Sequence, residues 1–158
     1  MKYICLGYLE PGKFENMSEG ERNTVLDECF GYNDELRKNG HLLAEEPLQP
    51  PNAAVTVSWK NGKVAVTDGP YAETKEQLGG IQVLEARDLN HAIQLISQSP
   101  GVKLNCGTIE IRPAADISEM MRESERNAVL DECFSYNDEL RKNGHLLAEE
   151  PLQPPTRR

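Results

Sequence analysis

The chain has 158 residues, of which 38% are hydrophobic and 27% charged, and its formal net charge is −9. This length suits one domain or one domain with an appendage, and the composition is typical of a soluble globular protein. The acidic balance argues against nucleic acid and anionic membrane surfaces as partners, because both are bound through clustered Lys and Arg.

Several other classes of protein are excluded by missing patterns. No apolar run approaches the roughly 20 residues needed to span a bilayer, and the start Met-Lys-Tyr-Ile-Cys lacks a full signal peptide. The four cysteines include no Cys-x-x-Cys pair. A phosphate loop, zinc-ligand spacing and a dinucleotide fingerprint are also missing, so we predict no cofactor and no metal. We expect a cytoplasmic, reduced protein.

A strand and a long helix are predicted first. The apolar run Lys2–Leu9 predicts the strand. Ser18 and Glu21 fit a capping box, in which each side chain bonds the other's free backbone N–H, and Asn39-Gly40 marks the end of the helix. Four apolar residues at helical spacing form its buried stripe: Val25, Cys29, Tyr32 and Leu36.

A β-hairpin is predicted after a short strand over His41–Ala44. The alternating runs Ala53–Trp59 and Lys63–Thr67 are joined by Asn61-Gly62. Asn-Gly between such runs indicates a type I′ turn, which needs positive φ at both central positions.

The rest of the first 113 residues predicts a strand, a helix and a last strand. The strands are Ile81–Ala86 and Cys106–Arg112, and Asp88 can cap the helix, which Ser99-Pro100-Gly101 would stop. The buried face of this helix is predicted to hold Leu89, Ala92, Ile93 and Ile96. The order β-α-β, hairpin, β-α-β predicts an α+β, ferredoxin-like fold with two helices on one face of an antiparallel sheet.

The second face of that sheet needs cover. Val, Ile and Trp are too frequent for all the alternate positions to be solvated. We therefore expect a homodimer, with two sheets packed face to face and a cleft between or beside them.

A polar loop, Asp68–Gly80, lies between the hairpin and the strand Ile81–Ala86. It opens with Asp-Gly-Pro and closes with a flexible Gly-Gly, and such loops between apolar strands often carry function. The alternative is a solvated turn. The candidate ligand-binding residues are Asp68, Gly69, Pro70, Tyr71, Glu73, Lys75 and Glu76.

This loop resembles the hallmark of the YCII-related proteins, in the branch usually called DGPF, with Tyr71 where Phe is typical. The Met1-Lys2-Tyr3 start, Gly79-Gly80 and the closing Ile109–Pro113 also match, so the resemblance covers residues 1–113. It implies the fold of ferredoxin-like dimeric α+β barrels, a group that includes muconolactone isomerase-like enzymes. Members are often encoded beside extracytoplasmic-function sigma factors, which implies a regulatory alternative.

The resemblance also bears on chemistry. Some relatives carry a His on the first helix that is thought to form a proton-transfer dyad with the Asp of the turn. Cys29 occupies that position here and is expected to belong to the core, and His41 lies past the helix. Asp68, with nearby carboxylates that could separate in pKa, remains the candidate catalytic residue. The alternative is that Asp68 only caps the turn.

Two function classes therefore remain open. One is a small-molecule enzyme of the isomerase or lyase kind, and the other is a non-catalytic binding or regulatory module. A closed, partly apolar pocket containing Asp68 would favour the enzyme. An open loop with its charges in solvent would favour the module.

The end of the chain duplicates part of its start. Glu21–Pro51 reappears as Glu125–Pro155, identical at 29 of 31 positions. Both differences, Thr24→Ala at 128 and Gly31→Ser at 135, raise helix propensity, so we predict an extra C-terminal helix. Its apolar stripe would be Val129, Cys133, Tyr136 and Leu140. We divide the chain into a domain at 1–115 and an extension at 116–158, and expect the extension to dock on a new surface.

Overall fold

The computed structural model describes residues 1–14, 16–115 and 128–146, with side chains from 134 onward in the last range. The chain divides into two compact units, Met1–Ile111 and Arg112–Arg158. The strands are β1 Lys2–Leu9, β2 Leu42–Pro47, β3 Val55–Lys60, β4 Lys63–Asp68, β5 Gln77–Glu85 and β6 Gly107–Pro113. The helices are α1 Glu19–Lys38, α2 Leu89–Ser97, α3 Pro100–Lys103 and α4 Ala128–Lys142, with a 3₁₀ turn at Pro51–Ala53.

The main sheet has the strand order β2-β5-β1-β6. Both β1 and β2 pair antiparallel with β5. With the hairpin set aside, this is the order of a ferredoxin-like sheet, so the predicted α+β fold is confirmed. Strands β3 and β4 form a separate two-stranded sheet.

Helix α1 has the predicted ends. The Glu21 N–H donates to Ser18 Oγ at 3.3 Å and the Ser18 N–H donates to Glu21 Oε2 at 2.8 Å, which completes the capping box. The Ser18 hydroxyl also donates to Glu21 Oε2 at 2.7 Å, and this bond, together with the one from the Ser18 N–H, lowers the pKa of Glu21. Gly40, with φ of 74°, follows the last turn because a residue without Cβ takes this conformation at little cost.

The core lies between the main sheet and the helices. Its buried residues are Tyr3, Cys5, Leu36, Leu42, Leu84, Ala86, Ala92 and Ile96. Burying each large side chain contributes roughly 1.5–3 kcal/mol. From the stripe of α1, Leu36 belongs to this core and Tyr32 packs against it, and the Tyr32 hydroxyl donates to the Leu95 carbonyl of α2 at 2.7 Å.

A polar network also ties α1 to the sheet. The Asn33 Nδ2 donates to Glu45 Oε2 of β2 at 2.5 Å, and Arg37 donates to Glu45 Oε1 at 2.6 Å. Gln82 of β5 donates to Asn33 Oδ1 at 3.3 Å. Glu45 is partly buried, so two charge-assisted bonds from α1 fix the helix against the edge strand.

Two sequence predictions need correction. Strand β2 begins at Leu42 and runs on to Pro47, opposite Gly80 of β5, because pairing at a sheet edge tolerates a terminal proline. Leu89 and Ile93 are 42% and 48% exposed, since the short helix α2 reaches the core through Ala92 and Ile96.

Two further observations concern the residues around α2. Pro100 does more than stop α2: it begins the separate helix α3, where proline's fixed φ suits the first turn. His91, for which the sequence indicated no role, is partly buried, and its ring packs edge-to-face against that of His41 with 5.1 Å between the ring centroids.

The second unit contains α4, the predicted C-terminal helix. Its end repeats that of α1: the His145 N–H donates to the Leu140 carbonyl at 2.8 Å and Gly144 has φ of 72°. Residues 116–127 and 147–158 of the predicted extension, and the side chains of Val129 and Cys133 in its stripe, lie outside the described residues. None of the helices in the described ranges is long and apolar enough to cross a membrane.

Candidate functional site

The Asp68 loop begins at a fixed glycine. Asp68 ends β4, and Gly69 follows with φ of 95°. The Gly69 N–H donates to the Ala54 carbonyl at 2.8 Å, and the Gly69 carbonyl accepts from Thr56 Oγ1 at 2.8 Å. Because an L side chain would be strained at this φ, glycine lets the chain leave the hairpin here.

The other end of the loop is a β-bulge. Gly7 pairs with Gly80 and Tyr8 pairs with Leu78, so Gly79 is the extra residue of β5. A Cβ at Gly79 would lie 2.5 Å from Leu9 Cδ1. Bulges of this kind bend a strand and re-aim its side chains next to sites. The Gly79-Gly80 pair is therefore part of β5, and the expectation that it forms a flexible loop end before a strand at Ile81 is wrong.

Between these two ends lies a cleft with a volume of about 780 Å³. Ligand sites in proteins usually have volumes of roughly 300–1,000 Å³. The cleft is lined by residues of β1, of the Pro-rich stretch after β2 and of the loop itself: Tyr8, Leu48, Gln49, Pro51, Asn52, Ala54, Gly69, Pro70, Tyr71, Ala72, Glu73, Thr74, Gln77 and Leu78.

The lining is mostly apolar, with a few neutral polar groups. Tyr8 and Tyr71 bring two phenol rings, and Tyr71 is 92% exposed. Amide side chains come from Gln49, Asn52 and Gln77, and Glu73 supplies the carboxylate. Among the described lining residues there is no Lys, Arg or His.

The predicted site residues do not all line the same cleft. Gly69, Pro70, Tyr71 and Glu73 line the cleft. Asp68 is exposed and is not among the lining residues. Lys75 and Glu76 instead line a neighbouring hollow of about 440 Å³, together with Tyr8, Thr74, Thr108 and Glu110. Tyr8 and Thr74 belong to both and so lie where the two meet.

Sequence reasoning missed the residues outside the loop. Tyr8 lies on the first predicted strand, and no local pattern indicates that the bulge at Gly79 places it beside the loop. Leu48, Gln49 and Asn52 lie between β2 and β3, in a stretch for which no pattern predicted a role. Its proximity is fixed by the Leu48 N–H, which donates to the Gly79 carbonyl at 2.9 Å.

Cys29 and His41 lie away from the cleft. Cys29 packs toward Gly101 of α3, and burial is the main reason that its pKa is raised, although a backbone hydrogen bond from Gly101 opposes the shift. A raised pKa keeps the thiol protonated and unreactive. His41 Nδ1 lies 3.1 Å from the Glu85 carbonyl. Neither residue lines the cleft, so no proton-transfer dyad with Asp68 forms through them.

The described residues do not form a metal site. Across the described ranges, no group of three His, Cys, Asp or Glu side chains comes together in a way that could hold a metal ion.

Comparison with known proteins identifies a family and a relative. The YCII-related domain matches residues 1–118. An uncharacterised protein of Rhizobium meliloti (strain 1021) is 30% identical over 115 residues, which is 73% of this chain and 93% of the relative.

A solved structure is similar at a lower level. It is the 5-chloro-2-hydroxyhydroquinone dehydrochlorinase of Burkholderia phenoliruptrix AC1100, in complex with 2,5-dihydroxybenzoquinone. The TM-score is 0.46 at 13% identity, over 73% of this chain and 94% of the enzyme. This similarity is too low to transfer a ligand or an activity.

Proposed function

The chain belongs to the YCII-related domain family, and we propose that it binds a small, uncharged organic molecule in the cleft beside the Gly69–Leu78 segment. The observation that carries the proposal is the composition of the cleft: two phenol rings, aliphatic side chains and neutral amides around about 780 Å³. A mostly apolar concave site with a few polar groups is typical of small-molecule binding.

The lining also indicates the chemistry of the ligand. An aromatic ring could stack on Tyr71, where the exposed phenol offers a face. Glu73 can accept a hydrogen bond from a ligand hydroxyl or N–H, and the amides of Gln49, Asn52 and Gln77 can both donate and accept. An anionic ligand is disfavoured, since no described lining residue is cationic and the chain carries a charge of −9.

Catalysis in this cleft would be an isomerase- or lyase-like proton transfer. A general base must come within hydrogen-bond reach of the proton that it takes. Glu73 lines the cleft and Asp68 does not, so Glu73 is the better placed carboxylate for a molecule bound there.

The second candidate is a non-catalytic binding or regulatory module in a sigma-factor pathway. It is favoured by the exposure of the whole stretch Pro70–Glu76, which leaves the loop charges in solvent. The two candidates differ in one observable: an enzyme converts the molecule it binds, whereas a module releases it unchanged.

Ligand-observed NMR on the full-length protein tests the proposal. The probes are uncharged monocyclic aromatics that carry a hydroxyl or an amide. Tyr71→Ala is expected to weaken binding of a hit by about tenfold or more, because a lost aromatic contact of about 1.4 kcal/mol corresponds to a factor of ten. Asp68→Asn should change the affinity much less.

The duplicated helix supplies a matched control. Tyr136 is another exposed tyrosine, at 61%, and is not among the lining residues, so Tyr136→Ala should leave the affinity unchanged. Equal binding by wild type and Tyr71→Ala would contradict the proposal. Incubation of a bound hit with Glu73→Gln and wild type, followed by mass and NMR analysis, separates conversion from simple binding.

A further inference from the structure

The cleft adjoins the smaller hollow beside it. The hollow has a volume of about 440 Å³, against about 780 Å³ for the cleft, and Tyr8 and Thr74 line both. The Thr74 hydroxyl donates to the Glu76 carbonyl, which fixes the loop where the two cavities meet. The cavities are therefore adjacent parts of one concave surface, and a ligand in the cleft can extend past Tyr8 into the hollow.

Tyr8, the residue between the two cavities, is held in place by the sheet. It pairs with Leu78 of β5 beside the bulge, and a Cβ at Gly107 of β6 would lie 2.5 Å from the Tyr8 carbonyl oxygen. Only glycine fits at that position without moving a strand. The Tyr8 side chain is partly buried, and its hydroxyl makes no hydrogen bond to any residue that the structure describes. It is therefore a rigidly placed hydroxyl that a ligand at this junction can bond.

The two cavities differ in their chemistry. The cleft is lined by apolar and neutral polar side chains with one carboxylate, whereas the hollow has charges of both signs, from Lys75, Glu76 and Glu110. Glu110 is partly buried and lies on the face of β6 opposite Ile109 and Ile111, which pack against the core. Lys75 makes no ion pair with a described residue, although two carboxylates line the same hollow. Its ammonium group is thus available to a ligand.

We propose that the cleft and the hollow form one site for an elongated neutral molecule, with a ring in the cleft and a carboxamide-like end group in the hollow. Lys75 would repel an ammonium end group, and the two glutamates would repel a carboxylate. A carboxamide has an acceptor oxygen for Lys75 and N–H donors for Glu76 or Glu110, so it can bond both kinds of charge. This inference rests on the proposed function, because it names the class of molecule that the cleft takes.

Four series of phenylalkyl probes with increasing chain length test the end group on the full-length protein. Their end groups are a carboxamide, a methyl ketone of the same shape, a carboxylate and an ammonium, and benzyl alcohol represents the ring alone. Ligand-observed NMR and calorimetry give the affinities. Once the chain extends past Tyr8, we expect the amides to bind about tenfold tighter than the methyl ketones, as for one hydrogen bond to a charged group. Both charged series should bind more weakly than the amides.

Substitutions in the hollow show where the end group lies. Lys75→Met should weaken binding of the long amides by about tenfold, strengthen binding of the ammonium series and leave benzyl alcohol unchanged. Glu110→Gln should instead strengthen binding of the carboxylate series. Lys103→Met is the matched control, because it removes the charge of an exposed lysine on α3 that lines neither cavity. It should leave every affinity unchanged.

The outcomes separate this inference from the function on which it rests. If benzyl alcohol binds in the cleft and no amide binds tighter than its methyl ketone, the elongated site is wrong and the proposed function stands. Equal effects of Lys75→Met and Lys103→Met on the amides would also overturn the inference. Failure of every probe to bind would overturn both. Amides that bind and lose affinity with Lys75→Met alone would support the elongated site, whatever the affinity of benzyl alcohol.

Discussion

The duplicated helix provides a built-in control for the hydrogen bond that joins α1 to α2. Tyr32 and Tyr136 occupy the same position in nearly identical segments. The Tyr32 hydroxyl donates to the Leu95 carbonyl at 2.7 Å, whereas Tyr136 is 61% exposed. We predict that Tyr32→Phe destabilises the protein and that Tyr136→Phe does not.

The size of the effect follows from the contacts of the Leu95 carbonyl. It also accepts from the Gln98 N–H at 3.2 Å, so it is not left without a partner when the hydroxyl is removed. The loss should therefore be close to the net value of one hydrogen bond, about 1 kcal/mol. In a domain of this size that lowers the Tm by about 2–4 °C. Tyr136→Phe should stay within about 0.5 kcal/mol of wild type.

Urea and thermal unfolding followed by circular dichroism measure both variants. Burial is the main cause of the raised pKa of Tyr32. The folded state thus holds this proton more tightly than the unfolded chain, and the stability that it contributes is complete below pH 10 and lost as the pH rises further. The gap between wild type and Tyr32→Phe should narrow above that pH. Equal effects of the two substitutions at neutral pH would refute the reasoning.

Three other predictions concern the core, the helix cap and the second unit. Burial raises the pKa of Cys5 from 9.0 to about 12. The free energy of unfolding should therefore fall as the pH rises between these values, by at most about 1.4 kcal/mol per pH unit. In urea titrations of Cys5→Ala, the free energy of unfolding should depend less steeply on pH. Ser18→Ala removes the capping box of α1 and should lower the thermal midpoint. Ser97→Ala changes an exposed serine at the C-terminal end of α2 and should leave the thermal midpoint nearly unchanged. Truncation after Ala115 should lower the thermal midpoint and alter amide exchange in residues 1–115, and unchanged melting and association would show that the extension is a passive product of duplication.

Local signals in the sequence predicted those parts of the fold that short-range chemistry decides. Ser18 and Glu21 form the capping box because both partners lie within one helical turn. Asn61 and Gly62 adopt φ of 53° and 74°, as the type I′ turn requires. The helical spacing of the α1 stripe likewise predicted which side of that helix faces the core.

The cleft could not be predicted in this way, because it is formed by hydrogen-bonded pairs of residues that lie far apart in the sequence. Tyr8 lies beside the cleft because of the bulge at Gly79, and Leu48 lies there because its N–H donates a hydrogen bond to the Gly79 carbonyl. Of the candidate ligand-binding residues, Gly69, Pro70, Tyr71 and Glu73 line the cleft, and the loop motif gave no sign that Asp68 would stay outside it.

Tyr32 and Tyr136 show most directly that local sequence does not predict which contacts a side chain makes. Their neighbours in sequence are almost identical, and both lie on helices with the same C-terminal end. One hydroxyl is bonded to α2 and the other side chain is largely in solvent. Local sequence therefore determines that a helix forms, and the surrounding structure determines whether the side chains of its apolar stripe are packed or exposed.

Chemical-shift mapping tests the central claim, that the cleft binds a small uncharged molecule, most directly. Isotope-labelled full-length protein is titrated with an uncharged aromatic hit from the screen. The account predicts saturable shifts at Tyr8, at Gly69–Thr74 and at Gln77–Leu78, with the amides of the described part of α4 unmoved. Saturable shifts centred on any other surface, with the Gly69–Thr74 amides unchanged, would contradict it.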